Sequence, residues 1–229
     1  LKMAAIVFGG IQEIQDRPVV IGLINAQSPL QFGREMAGAL IALARCGQPS
    51  IVASFVMAGL SGPVNLAGAL ALQNAEILAG LTLAQLVRAG TPVVYGSGSA
   101  PIDMKTGALA IGAPELSVII SATAQMARFY NLPSRCGGGL TDAHAADAQA
   151  AVESAFSLLS AVRNGVNFIL HACGILSSYM SMSYVKLVLD EEALAMIRRM
   201  MLPVEVSSDT LSLNSIPRGG HRRAVSHPP

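Results

Sequence analysis

The sequence repeats one local pattern five times, and few folds can accommodate such a repeat. Each repeat has a short apolar run, a segment rich in Gly, Ser and Asn, and then a longer stretch with helical periodicity. The apolar runs lie at about residues 18–24, 50–57, 92–95, 133–136 and 166–171. Polar and apolar residues do not alternate within any run, so each strand is expected to be buried on both faces. The pattern therefore predicts an α/β fold in which parallel strands alternate with helices.

Helices are expected at about residues 31–46, after the loop at 58–63 as far as residue 87, from near residue 113, and at 147–164 and 191–201. Pro114 suits the first turn of its helix, because proline lacks an N–H that would remain unpaired there. Asp190 is the expected N-cap of the last helix.

Loops rich in Gly, Ser and Asn at every strand end favour a TIM-type (β/α) barrel over a Rossmann sheet, and no G-x-G-x-x-G follows a strand. A complete barrel has eight strands. The sequence offers five, or six if residues 4–8 form a strand rather than the end of a helix. We therefore expect an incomplete barrel over residues 1–213, with an open sheet as the alternative. Residues 214–229 are expected to form a flexible basic tail.

The composition argues against some partners and for others. Lys and Arg number 15 against 14 Asp and Glu, a formal net charge of +1, so no nucleic-acid partner is indicated. Charged residues make up only 13% of the chain, and the mean hydropathy is +0.52. That leaves too little polar surface to coat an ordinary monomer. A homo-oligomer, another domain or a missing part of the chain is expected to cover the excess.

The sequence does not indicate a membrane protein, a disulfide-stabilised protein or a metal-binding protein either. The apolar stretch at residues 63–87 is interrupted by polar residues, whereas a membrane helix needs a run of roughly 20 apolar ones. Three widely spaced cysteines predict no disulfide framework, and no Cys/His cluster predicts a metal site. The amino terminus lacks the plan of a secretory signal. A cytoplasmic location is expected.

The strongest local signal is Arg135, followed by three glycines and then by Thr141 and Asp142. Glycines let the backbone approach a ligand closely, and the polar side chains would lie at the strand carboxyl ends, where barrel enzymes carry their chemistry. A structural interpretation is equally open: the glycines make a tight turn, and Asp142 caps a helical turn or pairs with Arg135. No Lys-Ser/Thr follows the glycines, which argues against a phosphate-binding loop.

Two further residues end predicted strands. His171 closes the fifth strand and would either contact a ligand or be a hydrogen-bonded core histidine. Tyr95 closes the third and would either pack in the core or offer its ring to a cation. A barrel lyase would need a Schiff-base lysine on a strand, but Lys2, Lys105 and Lys186 all lie outside the predicted strands.

The order and content of several motifs resemble the trimethylamine methyltransferase family. The motifs lie at residues 28–32, 57–59, 63–76, 90–96, 112–115, 138–143, 147–150, 171–174, 182–184 and 190–192. The resemblance extends over about residues 18–213, nearly the whole chain.

The resemblance implies a TIM barrel that moves a methyl group from a methylated amine to the cob(I)alamin of a separate corrinoid protein, which docks over the barrel mouth. The chain itself would bind no cofactor directly. Its task would be to orient the methyl group along the line of attack, while the cofactor supplies the difficult chemistry. We expect His171, Arg135, Asp142 and Tyr95 to face one substrate cavity at the strand carboxyl ends.

Departures from the family pattern affect the expected substrate and activity. Trimethylamine enzymes of the family carry pyrrolysine, which is absent here, so the resemblance implies a quaternary amine such as glycine betaine. Family chains are also much longer, so strands before residue 1 and a carboxyl-terminal portion are expected to be missing. An inactive barrel fragment with only an association role is therefore the alternative function.

Overall fold

The fold is built around a parallel sheet. The computed structural model of the protein describes residues 1–15 and 17–213. The nine strands within these residues are β1 (Gly22–Asn25), β2 (Ser50–Ser54), β3 (Met57–Ala58), β4 (Val93–Ser97), β5 (Ala100–Pro101), β6 (Ser134–Gly137), β7 (Phe168–Leu170), β8 (Ile175–Leu176) and β9 (Ser181–Met182). Five of these form the main sheet in the order β1-β2-β4-β6-β7, and every neighbouring pair is parallel. The prediction of five parallel strands adjacent in chain order is confirmed.

Helices connect the successive strands of the main sheet. The α-helices of the described residues are α1 (Lys2–Phe8), α2 (Ile11–Ile14), α3 (Arg34–Arg45), α4 (Leu66–Val87), α5 (Pro114–Phe129), α6 (Ala148–Arg163), α7 (Tyr184–Met201) and α8 (Ser208–Leu211). Helices α3 to α6 each follow one strand of the main sheet and precede the next. Residues 4–8, which the sequence left open as a strand, lie in α1, so the main sheet has five strands rather than six.

The connecting helices pack against one face of the main sheet. Ile24, Val52 and Tyr95 face Leu40 of α3 and Ile77 of α4 in one apolar cluster. Further along the sheet, the buried residues of β6, α5 and α6 that form the second cluster include Cys136, Leu116, Ile120 and Ala161. These strand residues share one face, because Ile24 pairs with Val52 and Val52 with Tyr95, while Cys136 is two residues beyond Ser134, the partner of Tyr95. The residues that alternate with them along each strand point to the opposite face of the sheet.

Helix α4 is attached to the sheet by buried polar side chains. The carboxylate of Glu76 accepts hydrogen bonds from Ser28 Oγ (2.8 Å) and Ser54 Oγ (2.5 Å), and Gln73 Oε1 accepts one from Ser97 Oγ (2.7 Å). By length and composition, α4 is the one helix of the described residues that could cross a membrane. Glu76 and Gln73 are nevertheless buried against the sheet, as in the core helix of a folded domain.

The last long helix begins earlier than predicted. Helix α7 starts at Tyr184, and its N-cap is Ser183, whose hydroxyl accepts from the Lys186 backbone N–H. Asp190 is therefore not an N-cap; it lies inside α7, where its carboxylate pairs with Lys186 one turn earlier. The helix expected from residue 147 does begin there, with Asp147 as its N-cap. The predicted tail at 214–229 lies outside the described residues.

Candidate functional site

A cavity of about 290 Å³ opens at the carboxyl ends of the five main strands. The residues that line it are Leu23, Asn25, Phe55, Gly98, Arg135, His171 and Tyr179. All but the last belong to a main strand or follow one within a single residue. This is the edge of a parallel sheet at which α/β proteins bind their ligands.

Arg135 is the buried cation of this cavity. Only 5% of the residue is exposed. Its Nη1 donates to the carbonyl oxygen of Ser97 (2.8 Å), while its Nε has no hydrogen-bond partner among the described residues. Burial lowers the pKa of the guanidinium from its usual value. A buried cation with an unused donor is costly in free energy unless further contacts satisfy it, so Arg135 is a candidate group for binding an anion at this cavity.

His171 lies at the open rim of the same cavity. It follows β7 with a left-handed backbone (φ 58°), and its ring is 5.1 Å from the Tyr179 ring in an edge-to-face arrangement. Burial, and then the positive charge of Arg135, lower the pKa of the imidazole below its ordinary value. The imidazole is therefore neutral at pH 7 and can donate or accept one hydrogen bond at the rim.

The three glycines bring the loops after β6 and β7 into contact. Gly139 has a left-handed backbone (φ 61°), and a Cβ on it would lie 2.1 Å from the carbonyl oxygen of Ala172. Only glycine fits there. This close approach places Arg135 and His171, which precede the two loops, on one side of the cavity.

Asp142 lies elsewhere, behind the cavity wall. Its carboxylate accepts from the backbone N–H groups of Ile111 (3.0 Å) and Gly112 (2.8 Å) and from Ser178 Oγ (2.5 Å). It is not among the residues that line the cavity, and no ion pair with Arg135 is present among the described residues. Asp142 instead ties the loop after β5 to the turn that contains Ser178.

Tyr95 is also absent from the cavity lining. Its side chain is fully buried in the helix-facing cluster, its hydroxyl donates to Asn74 Oδ1 (2.9 Å), and its ring stacks 6.1 Å from that of Tyr130. Burial raises its pKa. The reason is strand alternation: Tyr95 and Ser97 point towards the helices, whereas Gly98 borders the cavity. The structure therefore brings Arg135 and His171 together but not Asp142 and Tyr95.

Sequence reasoning missed the aromatic residues of the cavity, Phe55 and Tyr179. Phe55 directly follows β2, so its position at a strand end could have identified it. Tyr179 lies in a 3₁₀ turn (Ser177–Tyr179) between the short strands β8 and β9, and no periodicity marks that turn. No group of three or more His, Cys, Asp or Glu residues in the described part of the chain could hold a metal ion.

Comparison with known proteins gives a consistent result. The sequence model described as trimethylamine methyltransferase (MTTB) matches residues 1–227. A glycine betaine methyltransferase from Desulfitobacterium hafniense (strain Y51) is 49% identical over 230 residues, which cover 99% of this chain and 48% of that protein.

Trimethylamine methyltransferases are more distant. The MttB protein of Methanosarcina thermophila is 38% identical over 212 residues, covering 93% of this chain and 44% of that protein. The MttB protein of Desulfitobacterium hafniense (strain DSM 10664 / DCB-2) is 35% identical over 216 residues, covering 94% and 43%. The chain thus spans about half the length of the curated relatives it matches.

Proposed function

Because this chain belongs to the trimethylamine methyltransferase family, we propose that it takes part in methyl transfer from a small methylated amine to a corrinoid cofactor carried by a separate protein. The cavity at the strand carboxyl ends would hold the amine. The corrinoid protein would dock over the same edge of the sheet, since the methyl group has to leave in that direction.

We further propose that the main sheet is an arc of a TIM-type barrel. Five parallel strands follow each other in chain order, and the connecting helices α3 to α6 cover one face only. A Rossmann-type sheet carries helices on both faces, whereas barrel strands face a shared interior. The interior face of this arc carries Arg135, and Phe55 and His171 border the same cavity.

The substrate we propose is a quaternary amine with a carboxylate, such as glycine betaine. The observation that carries this choice is the buried, incompletely hydrogen-bonded guanidinium of Arg135, a residue that lines the cavity. A guanidinium binds carboxylates strongly and directionally, and trimethylamine offers no such group. The relative that is 49% identical is named for glycine betaine, which supports the same choice.

The residues of the chain would act by orientation and electrostatics. Arg135 would hold the carboxylate at the inner end of the cavity and thereby fix the position of the nitrogen. The neutral His171 at the rim would contact the substituents of the amine without repelling its charge. The corrinoid of the docked partner would supply the nucleophile and accept the methyl group, and the electron pair of the broken N–CH₃ bond would stay on the amine nitrogen. Holding the methyl group along the line of attack is the contribution that a binding protein makes to such a displacement.

Ligand binding to the full-length protein tests the substrate. In calorimetric titrations, glycine betaine should bind at least tenfold more tightly than choline, which has the same quaternary nitrogen and a hydroxyl group in place of the carboxylate. Replacing Arg135 by Met should abolish that preference, and Arg135→Lys should retain part of it. Equal binding of choline and glycine betaine would contradict the carboxylate site.

Methyl transfer tests the reaction. Full-length protein, its corrinoid partner reduced to Co(I) and glycine betaine should give the spectral change of cobalt methylation, and His171→Ala should slow it about tenfold, equivalent to ~1.4 kcal/mol. A protein that associates with other chains but transfers no methyl group from any amine would instead support an association role alone.

A further inference from the structure

We propose that Tyr179 supplies the aromatic face that binds the cationic nitrogen of the substrate, and that Asp142 holds Tyr179 in place through Ser178. The inference rests on the proposed function, because it assumes that a quaternary amine occupies the cavity. It assigns roles to two residues that the sequence alone either missed or placed differently.

Tyr179 lies in the right place for such a contact. It lines the same cavity as Arg135 and His171, and it is close enough to Arg135 for that positive charge to lower the pKa of its phenol against the larger effect of burial. A betaine carries its carboxylate and its nitrogen one methylene apart, so the two binding groups have to be neighbours. Burial raises the pKa of the phenol to about 12, and the ring is therefore neutral at pH 7.

A quaternary ammonium needs an aromatic partner because it has no N–H to donate. The face of an aromatic ring attracts such a cation through its quadrupole, more strongly where water is excluded. Tyr95 cannot take this role, since it is fully buried on the helix side of the sheet. Besides the imidazole of His171, the aromatic side chains that line the cavity are those of Tyr179 and Phe55.

The backbone of Tyr179 is held in an unfavourable conformation. Three consecutive residues, Ser177, Ser178 and Tyr179, have φ values of 51°, 51° and 77°. Residues with a Cβ rarely adopt the left-handed region, and runs of them are rarer still. Such strain persists only where surrounding contacts determine it, and it is concentrated at ligand-binding sites.

The contacts that hold the turn come from the loop after β6. The N–H groups of Ser177 and Ser178 donate to the carbonyl oxygens of Ala143 (2.9 Å) and Thr141 (3.2 Å). Ser178 Oγ donates to the carboxylate of Asp142 (2.5 Å), which two backbone N–H groups fix from the other side. Asp142 is thus a positioning residue: it acts on the substrate through Ser178 and Tyr179.

The test separates charge from shape. Glycine betaine and 3,3-dimethylbutanoate have nearly the same shape and the same carboxylate, but a neutral carbon replaces the nitrogen in the second. Calorimetry on the full-length protein compares both ligands. Tyr179→Leu should weaken glycine betaine binding about fivefold to thirtyfold and change binding of the isostere less than twofold. Tyr179→Phe, which keeps the ring, should restore most of that loss.

The positioning role has its own matched pair of variants. Ser178→Ala removes the hydroxyl that bonds Asp142 and should weaken glycine betaine selectively, as Tyr179→Leu does. Ser177→Ala, one residue earlier, removes a hydroxyl that contacts the exposed His144 and should leave the ratio of the two ligands unchanged. A general loss of structure would weaken both ligands together, so the ratio distinguishes positioning from unfolding.

Several results would overturn the inference. If Tyr179→Leu weakens both ligands equally or neither, the ring does not bind the charge. If Phe55→Leu, rather than Tyr179→Leu, removes the preference for glycine betaine, Phe55 makes the aromatic contact with the cation. If the unaltered protein binds neither ligand, the proposed function fails and the inference with it. Arg135→Met separates a failure of the inference from a failure of the proposed function, because it should weaken both ligands equally whatever Tyr179 does. If it does so while Tyr179→Leu has no selective effect, the carboxylate site stands and only the inference fails.

Discussion

At the scale of single residues, Arg135 combines a cost in stability with a use in binding. Its guanidinium is buried and only partly hydrogen-bonded, and an incompletely paired buried charge destabilises a fold. Arg135→Met should therefore leave the free energy of unfolding unchanged or raise it by ~1 kcal/mol, while glycine betaine binding is lost. Thermal unfolding without ligand measures the first effect. A variant less stable by more than ~2 kcal/mol would show that Arg135 is a structural residue.

The same substitution should change the titration of His171. Burial lowers the pKa of the imidazole first, and the charge of Arg135 lowers it further. Removing the positive charge favours the protonated ring, so the pKa of His171 should rise in Arg135→Met, although burial should keep it below the ordinary value. NMR titration of the histidine ring protons measures the change. An unchanged pKa would mean that the two side chains do not interact across the cavity.

The sign of this shift also sets a pH dependence of stability. The folded protein holds a proton on His171 less readily than the unfolded chain does. The contribution of the neutral ring is therefore complete above the ordinary histidine pKa of about 6.5 and is lost as the pH falls below it. Because His171 lies at the open rim, solvent reduces the effect, and His171→Gln should flatten only a small part of the acid-side loss of stability.

At the scale of elements, a buried ion pair in α7 joins the two loops that border the cavity. Lys186 and Asp190 have side chains only 2% and 4% exposed. Lys186 Nζ also donates to the carbonyl oxygen of Gly139 (3.0 Å) and to Ser154 Oγ (2.7 Å), and Asp190 Oδ2 accepts from the Gly174 N–H (2.8 Å). The pair thus connects α6, α7 and the loops after β6 and β7.

A double-mutant cycle tests this connection. Lys186→Met alone leaves the Asp190 carboxylate buried without its cation and should cost ~3–5 kcal/mol of unfolding free energy. The double variant Lys186→Met/Asp190→Leu should recover a large part of that loss, because no charge then remains buried. Denaturant unfolding gives the coupling energy. Additive losses in the double variant would mean that the two side chains contribute separately.

The sequence predicted the main strands well and the local polar contacts less well. Buried parallel strands leave a clear record, because each needs an apolar run ended by turn residues; the strand starts at residues 50, 92 and 133 came within one residue of those observed. Asp190 was misplaced because a carboxylate before a helical stretch looks the same whether it caps the helix or pairs with a lysine one turn earlier. The pairing depends on burial by α6 and the Gly139 loop, which the local sequence does not reveal.

The residues of the candidate site also divide into those that the sequence predicted and those that it did not. Arg135 and His171 were found because they lie at strand ends, a position that the chain order reveals. Tyr95 was misassigned because the face of the sheet that it takes depends on the register in which it pairs with Val52. A register one residue away would place Tyr95 on the other face, and a strand that is apolar throughout does not distinguish the two registers. Tyr179 could not be found, since its position is determined by non-local bonds from Thr141, Asp142 and Ala143.

At the scale of the whole molecule, exposed apolar surface determines how residues 1–229 behave alone. Within the described residues, β1 and β7 each have a main-sheet partner on one side only. Side chains near these edges are partly exposed, including Leu23 (40%) and Phe168 (41%), and so are the apolar residues Val188 and Met196 of α7. Open strand edges and contiguous apolar surface both promote association.

We therefore expect the 229-residue chain, purified by itself, to associate in a concentration-dependent manner. Light scattering across a dilution series measures this, and two variants identify the surface. Val188→Lys/Met196→Lys should reduce association if α7 is the contact, because it places two charges on that helix face. Ile21→Pro should instead reduce association if the free edge of β1 is the contact, because proline cannot donate to a strand ladder.

A monomer at all concentrations with a cooperative melt would show that five βα units bury enough apolar area to be stable alone. Association that neither variant changes would leave the edge of β7 as the remaining contact. That edge lies next to His171, so binding of a second chain there should compete with the substrate.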